Sequence, residues 1–587
     1  MNMMKNIVFT SGENRSMKRF SLCIMAAILC LMLSACGGAA PSQPPEEKTA
    51  APTPPTATTT PKPPAINEYQ MTDFEIESNL ENSYAYEYSE FNLGDGLYTT
   101  PGNHKMPYKI RGIIAVPDGA GPFPLVLIAH GAHEEEDESR RFDTGFDYLV
   151  EGLAQNGYIA VSVDMLMPYI QRYGGNDDYV EKILAIMQEH IQGLRSANDG
   201  VALYPMDLTG KIDLGKTALL GHSRSGSAVF QITKEELERG LGVGAILSLA
   251  PSADFWVEFP DLPTAFLVPQ YDGDVIQLDG VYMYDFLENR VDGDHSLTLL
   301  MGANHNFFNR NLERDDSIAR DMENPYPPLS REEQEDFLLN FAVGFFNTSF
   351  GEDDFFYQLA QPQANKMYGR DINRQLRLSD PINLIETDTA DEFSSETASI
   401  RHAVDAMFFK DDEVLVNTVT TNILKTILDG TRDKEAETLE YVPFNRNLIS
   451  IEWTKKDSLV SVTPLVSDFS GKDAMSIRLI PDSASDLNAA GQALSFTLIL
   501  RDADGGVAKV TTAANQNALR PYPGELKETI FTEDFSIKYW EPTTPLGMLH
   551  IPLSCFEALD MSTIVSMELL FDNSESGALF IASWQLQ

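Results

Sequence analysis

In the stretch "KTALLGHSRSG", residues 216–226, an apolar run stops at Gly221 and gives way to His222, Ser223, Arg224, Ser225 and Gly226. A serine on a sharp turn from strand to helix holds its hydroxyl clear of the sheet. The N–H of the next residue, here Arg224, is then placed to stabilise a developing oxyanion. The chemistry this suits is attack on a carbonyl. A hydroxyl is a weak nucleophile at its own pKa and needs a base, which an imidazole oriented by a carboxylate supplies. The competing reading is a polar residue in a turn, and position in the fold decides between them. A second group, His130 and His133 followed by the acidic run Glu134 to Glu138, could hold zinc. Acidic residues ahead of a helix also complement the positive end of its dipole, so the expectation is no metal and no cofactor.

These residues need a scaffold that gathers loops. From about residue 107, short β-branched runs alternate with longer helical stretches. "YKIRGIIAVP", "FPLVLIAHG", "YIAVSVD", "KTALLGHS", "GVGAILSLAP", "TAFLVPQYD" and "SLTLLMGANH" read as strands. Helices are expected near 139–155 and 179–196, after Ser223, from about Val275, and over "REEQEDFLLNFAVGFF". Strands that are apolar throughout and separated by helices imply an α/β fold with a mostly parallel central sheet covered on both faces. In such a sheet the functional loops gather at the carboxyl ends of the strands, where Ser223 falls. Past roughly Asp380 the alternation stops. Runs such as "LISIEW", "AMSIRLIP" and "ALFIASWQL", with turn signals "DADGG" and "DNSESG", predict an all-β sandwich.

With the strand order around it, "GHSRSG" resembles the nucleophile elbow of the α/β-hydrolase superfamily, whose pattern is G-x-S-x-G. Gly221 and Ser223 match; Ser225 stands in the second glycine's place, and Gly226 follows. The resemblance covers about residues 100–350 and implies that an acid and a histidine follow the serine, each after a later strand. His305 in "MGANHNFF" is the histidine in place, because His295 precedes its strand while His402 and His550 fall near or inside the β tail. Asp272, closing "PTAFLVPQYD" with Val275 after it, is the acid of choice, with Asp274 the alternative and Asp254 a third. By the same similarity the loop "LIAHGAHEEED" gives the other half of the oxyanion hole, the N–H of Ala132 joining that of Arg224, and Gly131 lets the chain approach the substrate. His133, His222, Trp256 and Phe307 would complete the substrate-binding set, with Phe255 beside them. The chain looks closest to secreted esterases of the dienelactone-hydrolase and polyester-hydrolase (cutinase-like) type, which cleave carboxylic esters through an acyl-enzyme. A peptidase or lipase of the same fold, or an inactive glycan-binding surface protein, are the alternatives.

The N-terminus bears on location. Lys18 and Arg19 precede "FSLCIMAAILCLML", and the tetrad Leu33, Ser34, Ala35, Cys36 resembles the lipobox of bacterial lipoproteins, in which the cysteine is diacylated. The expected organisation is a signal peptide over 1–36, a Pro/Thr-rich stalk over 37–66, an α/β-hydrolase domain over 67–380 and a β-sandwich, jelly-roll-like domain over 381–587. The protein would sit on the extracellular face of a bacterial membrane, lipid-anchored through Cys36. Its partners would be a small or polymeric ester and, through the tail and by analogy only, a glycan. With 43 Lys plus Arg against 87 Asp plus Glu, the formal charge of −44 repels phosphate backbones and excludes nucleic acid as a partner. Cys555, the one cysteine beyond the lipobox, reads as a small buried hydrophobe.

Overall fold

Val, Leu and Ile occupy successive positions in the strands between residues 123 and 300 because helices cover the sheet on both sides. The computed structural model describes residues 66–587 except 72, 134–135, 176–177, 253–257, 276–277, 289–292, 318–325, 407–444, 483–484, 490–492, 513–516 and 521–544. Cys36 and the stalk lie outside the described residues, as do Asp254, Phe255 and Trp256. The architecture is mixed α/β, with large sheets and few helices. Among the described residues no helix is long and apolar enough to cross a membrane.

The first twelve strands are β1 (Ile66–Gln70), β2 (Phe74–Ile76), β3 (Tyr86–Thr99), β4 (Lys105–Pro117), β5 (Phe123–Ala129), β6 (Ile159–Val163), β7 (Ile212–His222), β8 (Val243–Leu249), β9 (Thr264–Pro269), β10 (His295–Leu300), β11 (Ala364–Met367) and β12 (Arg370–Arg377). Strands β2 to β12 form one eleven-stranded sheet in the order β2-β11-β12-β10-β9-β8-β7-β5-β6-β4-β3. Its centre, from β10 to β6, is parallel, and antiparallel pairs flank it at both ends. Five helices pack on it: α1 (Asp147–Gln155), α2 (Tyr179–Asn198), α3 (Arg224–Glu238), α4 (Asp279–Glu288) and α5 (Arg331–Ser349). Ile183, Phe230 and Val281 of α2, α3 and α4 share one core with Leu125 and Leu127. Leu149 of α1 and Phe337 and Phe341 of α5 share the other with Val126 and Ile128. That split is the period of two expected of a strand buried on both faces. Because β5, β7, β9 and β10 are parallel, the loops that follow them open on one rim.

The remaining strands are β13 (Ile382–Asn383), β14 (Phe393–Ser394), β15 (Ala398–Ala406), β16 (Asn445–Trp453), β17 (Ser458–Val462), β18 (Ala474–Pro481), β19 (Thr497–Asp502), β20 (Val507–Thr511), β21 (Gly547–Pro552), β22 (Ile564–Phe571) and β23 (Gly577–Leu586). Together with β1 they build two six-stranded sheets. Ile451, Ile477 and Trp584 from one meet Val460, Leu498 and Leu569 from the other in a single core, which also takes in Cys555. Burial pushes the Cys555 thiol up to about 11. Residues 66–70, expected within stalk and α/β domain, instead pair in parallel with β20. They satisfy the open hydrogen-bonding row of what would otherwise be an edge strand.

Buried charge joins the large sheet and its helices to the C-terminal sheets. Asp285 of α4 accepts from Arg446 of β16 at 2.6 Å and from Arg478 of β18, all three buried. Arg478 also donates through Nε to Gln375 of β12 at 2.7 Å, and Gln375 donates to the Leu546 carbonyl at 2.7 Å.

Candidate active site

Ser223 follows β7 directly and adopts φ 58°, ψ −125°, a conformation that costs a non-glycine residue about 1–3 kcal/mol and persists only where its surroundings enforce it. Here the Ser223 N–H donates to the Leu249 carbonyl at 3.0 Å, and its own carbonyl accepts from Gly226 and Ser252 at 2.8 and 3.1 Å. A Cβ built on Gly221 would fall 2.1 Å from the Ser225 carbonyl oxygen, and one on Gly226 would fall 2.8 Å from Pro251 Cβ. The close-packing requirement of the second glycine has thus moved one position along, to Gly226. Ser225, fully buried, is free to bond elsewhere. Its hydroxyl donates to the His130 carbonyl at 2.6 Å, with the Tyr169 hydroxyl 3.2 Å away.

The Ser225 bond fastens helix α3 to the loop after β5. In that loop His130 takes the Met165 N–H on Nε2 at 2.8 Å and turns Nδ1 to the Gly131 carbonyl at 2.9 Å. Both ring nitrogens are therefore occupied by backbone, which leaves no lone pair for a cation. His133 accepts the Gly131 N–H on Nε2 at 3.2 Å. Among the described residues no cluster of ligating side chains suits a metal ion. Glu134 and Glu135 of the acidic run lie outside the described residues. Gly131 lies so close to the elbow that a Cβ there would fall 2.4 Å from Ser223 Cβ. Among the described residues no protein acceptor takes the N–H of Ala132 or of Arg224, the two donors expected to face an oxyanion. Part of the segment that follows β6, with its buried Tyr169 and Ile170, is held down by Lys182 of α2. The Lys182 ammonium donates to the carbonyls of Pro168 and Gly175.

His305, after β10, meets Asp272, after β9: Nδ1 and Asp272 Oδ2 are 2.9 Å apart and both residues are buried. The other Asp272 oxygen accepts the N–H groups of Asp274 and Val275 at 3.0 and 2.6 Å, which fixes the carboxylate. Asp274 takes a different place: half-exposed, its Oδ2 is 3.7 Å from His305 Nε2. Nε2 itself is buried with no hydrogen-bond partner, so no hydrogen bond joins it to Ser223. Catalytic hydrogen bonds are often long without substrate and tighten in the Michaelis complex. Burial works to lower the His305 pKa, but the charge and hydrogen bond of Asp272, then Asp274 and Asp316, outweigh it and push it up to about 9.

His222 and His133 pack on this pair. The rings of His222 and His305 are 4.7 Å apart, His222 Nε2 faces the His305 carbonyl at 3.2 Å, and the His133 ring lies 5.1 Å from that of His222. Burial, then the neighbouring imidazoles, hold both His222 and His133 well below the usual histidine range. Phe307 stands apart from the stack, half-buried under the Arg331 guanidinium. The side chain that the sequence did not single out is Asp316, buried at the back of the His305 loop. It sits in "ERDDS", where nothing distinguishes it among so many acidic residues.

No family model matches this chain, and comparison with curated proteins gives no match either.

Proposed function

We propose that the chain is a serine hydrolase of carboxylic esters built on an α/β-hydrolase fold, with a C-terminal β-sandwich packed against it. The supporting observation is the convergence, on one rim, of a strained Ser223, two acceptor-free backbone amides and a buried His305–Asp272 pair. In this reading the Ser223 hydroxyl adds to the ester carbonyl while His305 Nε2 takes its proton. The carbonyl oxygen, now negative, is held by the N–H groups of Ala132 and Arg224. As the C–O bond breaks, the imidazolium returns that proton to the leaving alkoxide and an acyl-serine remains. Water, deprotonated by His305, then releases the acid and restores the serine. Asp272 keeps Nε2 aimed at the serine and stabilises the positive ring.

The test is Ser223→Ala. Hydrolysis of p-nitrophenyl acetate and labelling by a fluorophosphonate should both vanish; activity that survives the substitution refutes the assignment. One observation favours a second reading, an inactive glycan-binding surface protein: His305 Nε2 lies near Asp274 and makes no bond to Ser223. A wild-type protein that neither hydrolyses nor labels would select it.

The same proposal places the protein outside a bacterial cell, held to the membrane by lipid on Cys36, since two acyl chains anchor stably where one is marginal. Cys36→Ser should shift the protein from the membrane fraction to the medium. Retention of the variant in the membrane fraction would remove this part of the proposal.

A further inference from the structure

Asp316 is almost fully buried. Its bonds run to backbone: Oδ2 accepts from Gly273 at 2.7 Å and from His305 at 3.1 Å, and Oδ1 accepts from Asn306 at 3.0 Å. Gly273 follows the acid Asp272, and the other two amides belong to the loop that carries the base. One side chain therefore joins the loop after β9 to the loop after β10, across the gap the Asp272–His305 bond has to span. Resting on the esterase reading, we propose that Asp316 is a positioning residue. It clamps acid and base loops in register and, as a second buried negative charge behind Asp272, holds His305 toward its protonated form.

The electrostatics agree with the geometry. Burial first, then the charge of Asp272, push the Asp316 carboxyl up to about 6, against the pull of His305 and of the Gly273 and Asn306 amides. The other charged and titratable groups around this centre are Asp274 on the Nε2 side of His305, Arg314, whose own charge is felt by Asp316 and Asp274, and the imidazoles of His222 and His133. Asp315 is turned away, bonded to Asn304 and Ser317. A group that did no more than satisfy amides could be neutral; a carboxylate so close to the pair also shifts its proton.

The experiment is an NMR titration of the His305 ring in the full-length protein labelled at histidine, assigned by loss of its signals in His305→Gln. It is run on wild type and Asp316→Asn beside pH profiles of p-nitrophenyl acetate turnover. The amide oxygen can still accept from Gly273 and His305, while its NH2 cannot accept from Asn306 and that bond is lost; with the charge also gone, the His305 midpoint should fall by about one pH unit. Where the protein hydrolyses esters, the rising limb of kcat/KM should fall with it. An unchanged midpoint overturns the electrostatic role. The ring titration reports whether or not an ester is cleaved, so its failure is distinct from failure of the esterase reading. Should Asp316→Asn not fold, Asp316→Glu keeps the charge on a longer arm. It should leave the midpoint in place and lower kcat by tenfold or more, whereas wild-type turnover in that variant overturns the clamp.

Discussion

At the junction of the two units, Asp285 meets Arg446 and Arg478, and Arg478 has Gln375 on its remaining side. At the rim, one imidazole is approached by Asp272, Asp274 and Asp316 while its Nε2 stays buried and unbonded. Both places bury charge, which is tolerable only with compensation. The junction pairs its carboxylate with two cations and ties one of them further to an amide side chain. The rim carries an excess of negative charge and leaves one polar atom open. A cluster closed in charge holds parts together, even though Arg446 Nε also lacks a hydrogen-bond partner there, and one left open in charge can accept a proton.

Breaking the closed cluster should have the larger effect. Asp285→Ala removes a carboxylate shared by two buried arginines, and removing one partner of a buried pair costs about 3–5 kcal/mol. Urea unfolding should show that loss, while the folded fraction keeps its turnover because Asp285 has no part in the proposed chemistry. A loss below about 1 kcal/mol would mean that water reaches the arginines and that the junction is no tighter than a surface contact.

The same contrast decides what could be read from the sequence. The parallel strands were legible because each buries apolar residues on both faces, and the elbow was legible because Gly221, Ser223 and the apolar run before it mark a strand ending at a serine. His305 and Asp272 followed from strand ends and a family resemblance. Strand β12, "RDINRQLR", was not legible: Asn373, Arg374 and Gln375 are buried, but their partners are polar groups of the C-terminal unit and of the loop after α5, so no hydrophobic period announces the strand. Residues 66–70 were obscured for a related reason, since they pair with β20 more than four hundred residues away and carry no local sign of it. Asp316 was hidden by composition, because among 87 acidic residues only a fold distinguishes the one whose oxygens collect three amides.

The open cluster can be sharpened at its exposed edge. Asp274 lies 3.7 Å from His305 Nε2 and raises its pKa alongside Asp316, but its side chain is 55% exposed, so water and salt screen it. The sign follows from the raised pKa of His305. In the folded protein the ring is charged up to about pH 9, so the neutral base that chemistry requires accumulates only as pH rises through that value. Stability runs the other way. A ring with an unfolded pKa near 6.5 contributes its full share below that pH and loses it as pH climbs through 9. Wild-type kcat/KM should therefore increase over the same alkaline window in which resistance to urea declines. Asp274→Asn should move both curves to lower pH by a fraction of a unit, and the displacement should shrink in 1 M salt. If the two curves moved in opposite directions, the proton controlling turnover would belong to a group other than His305.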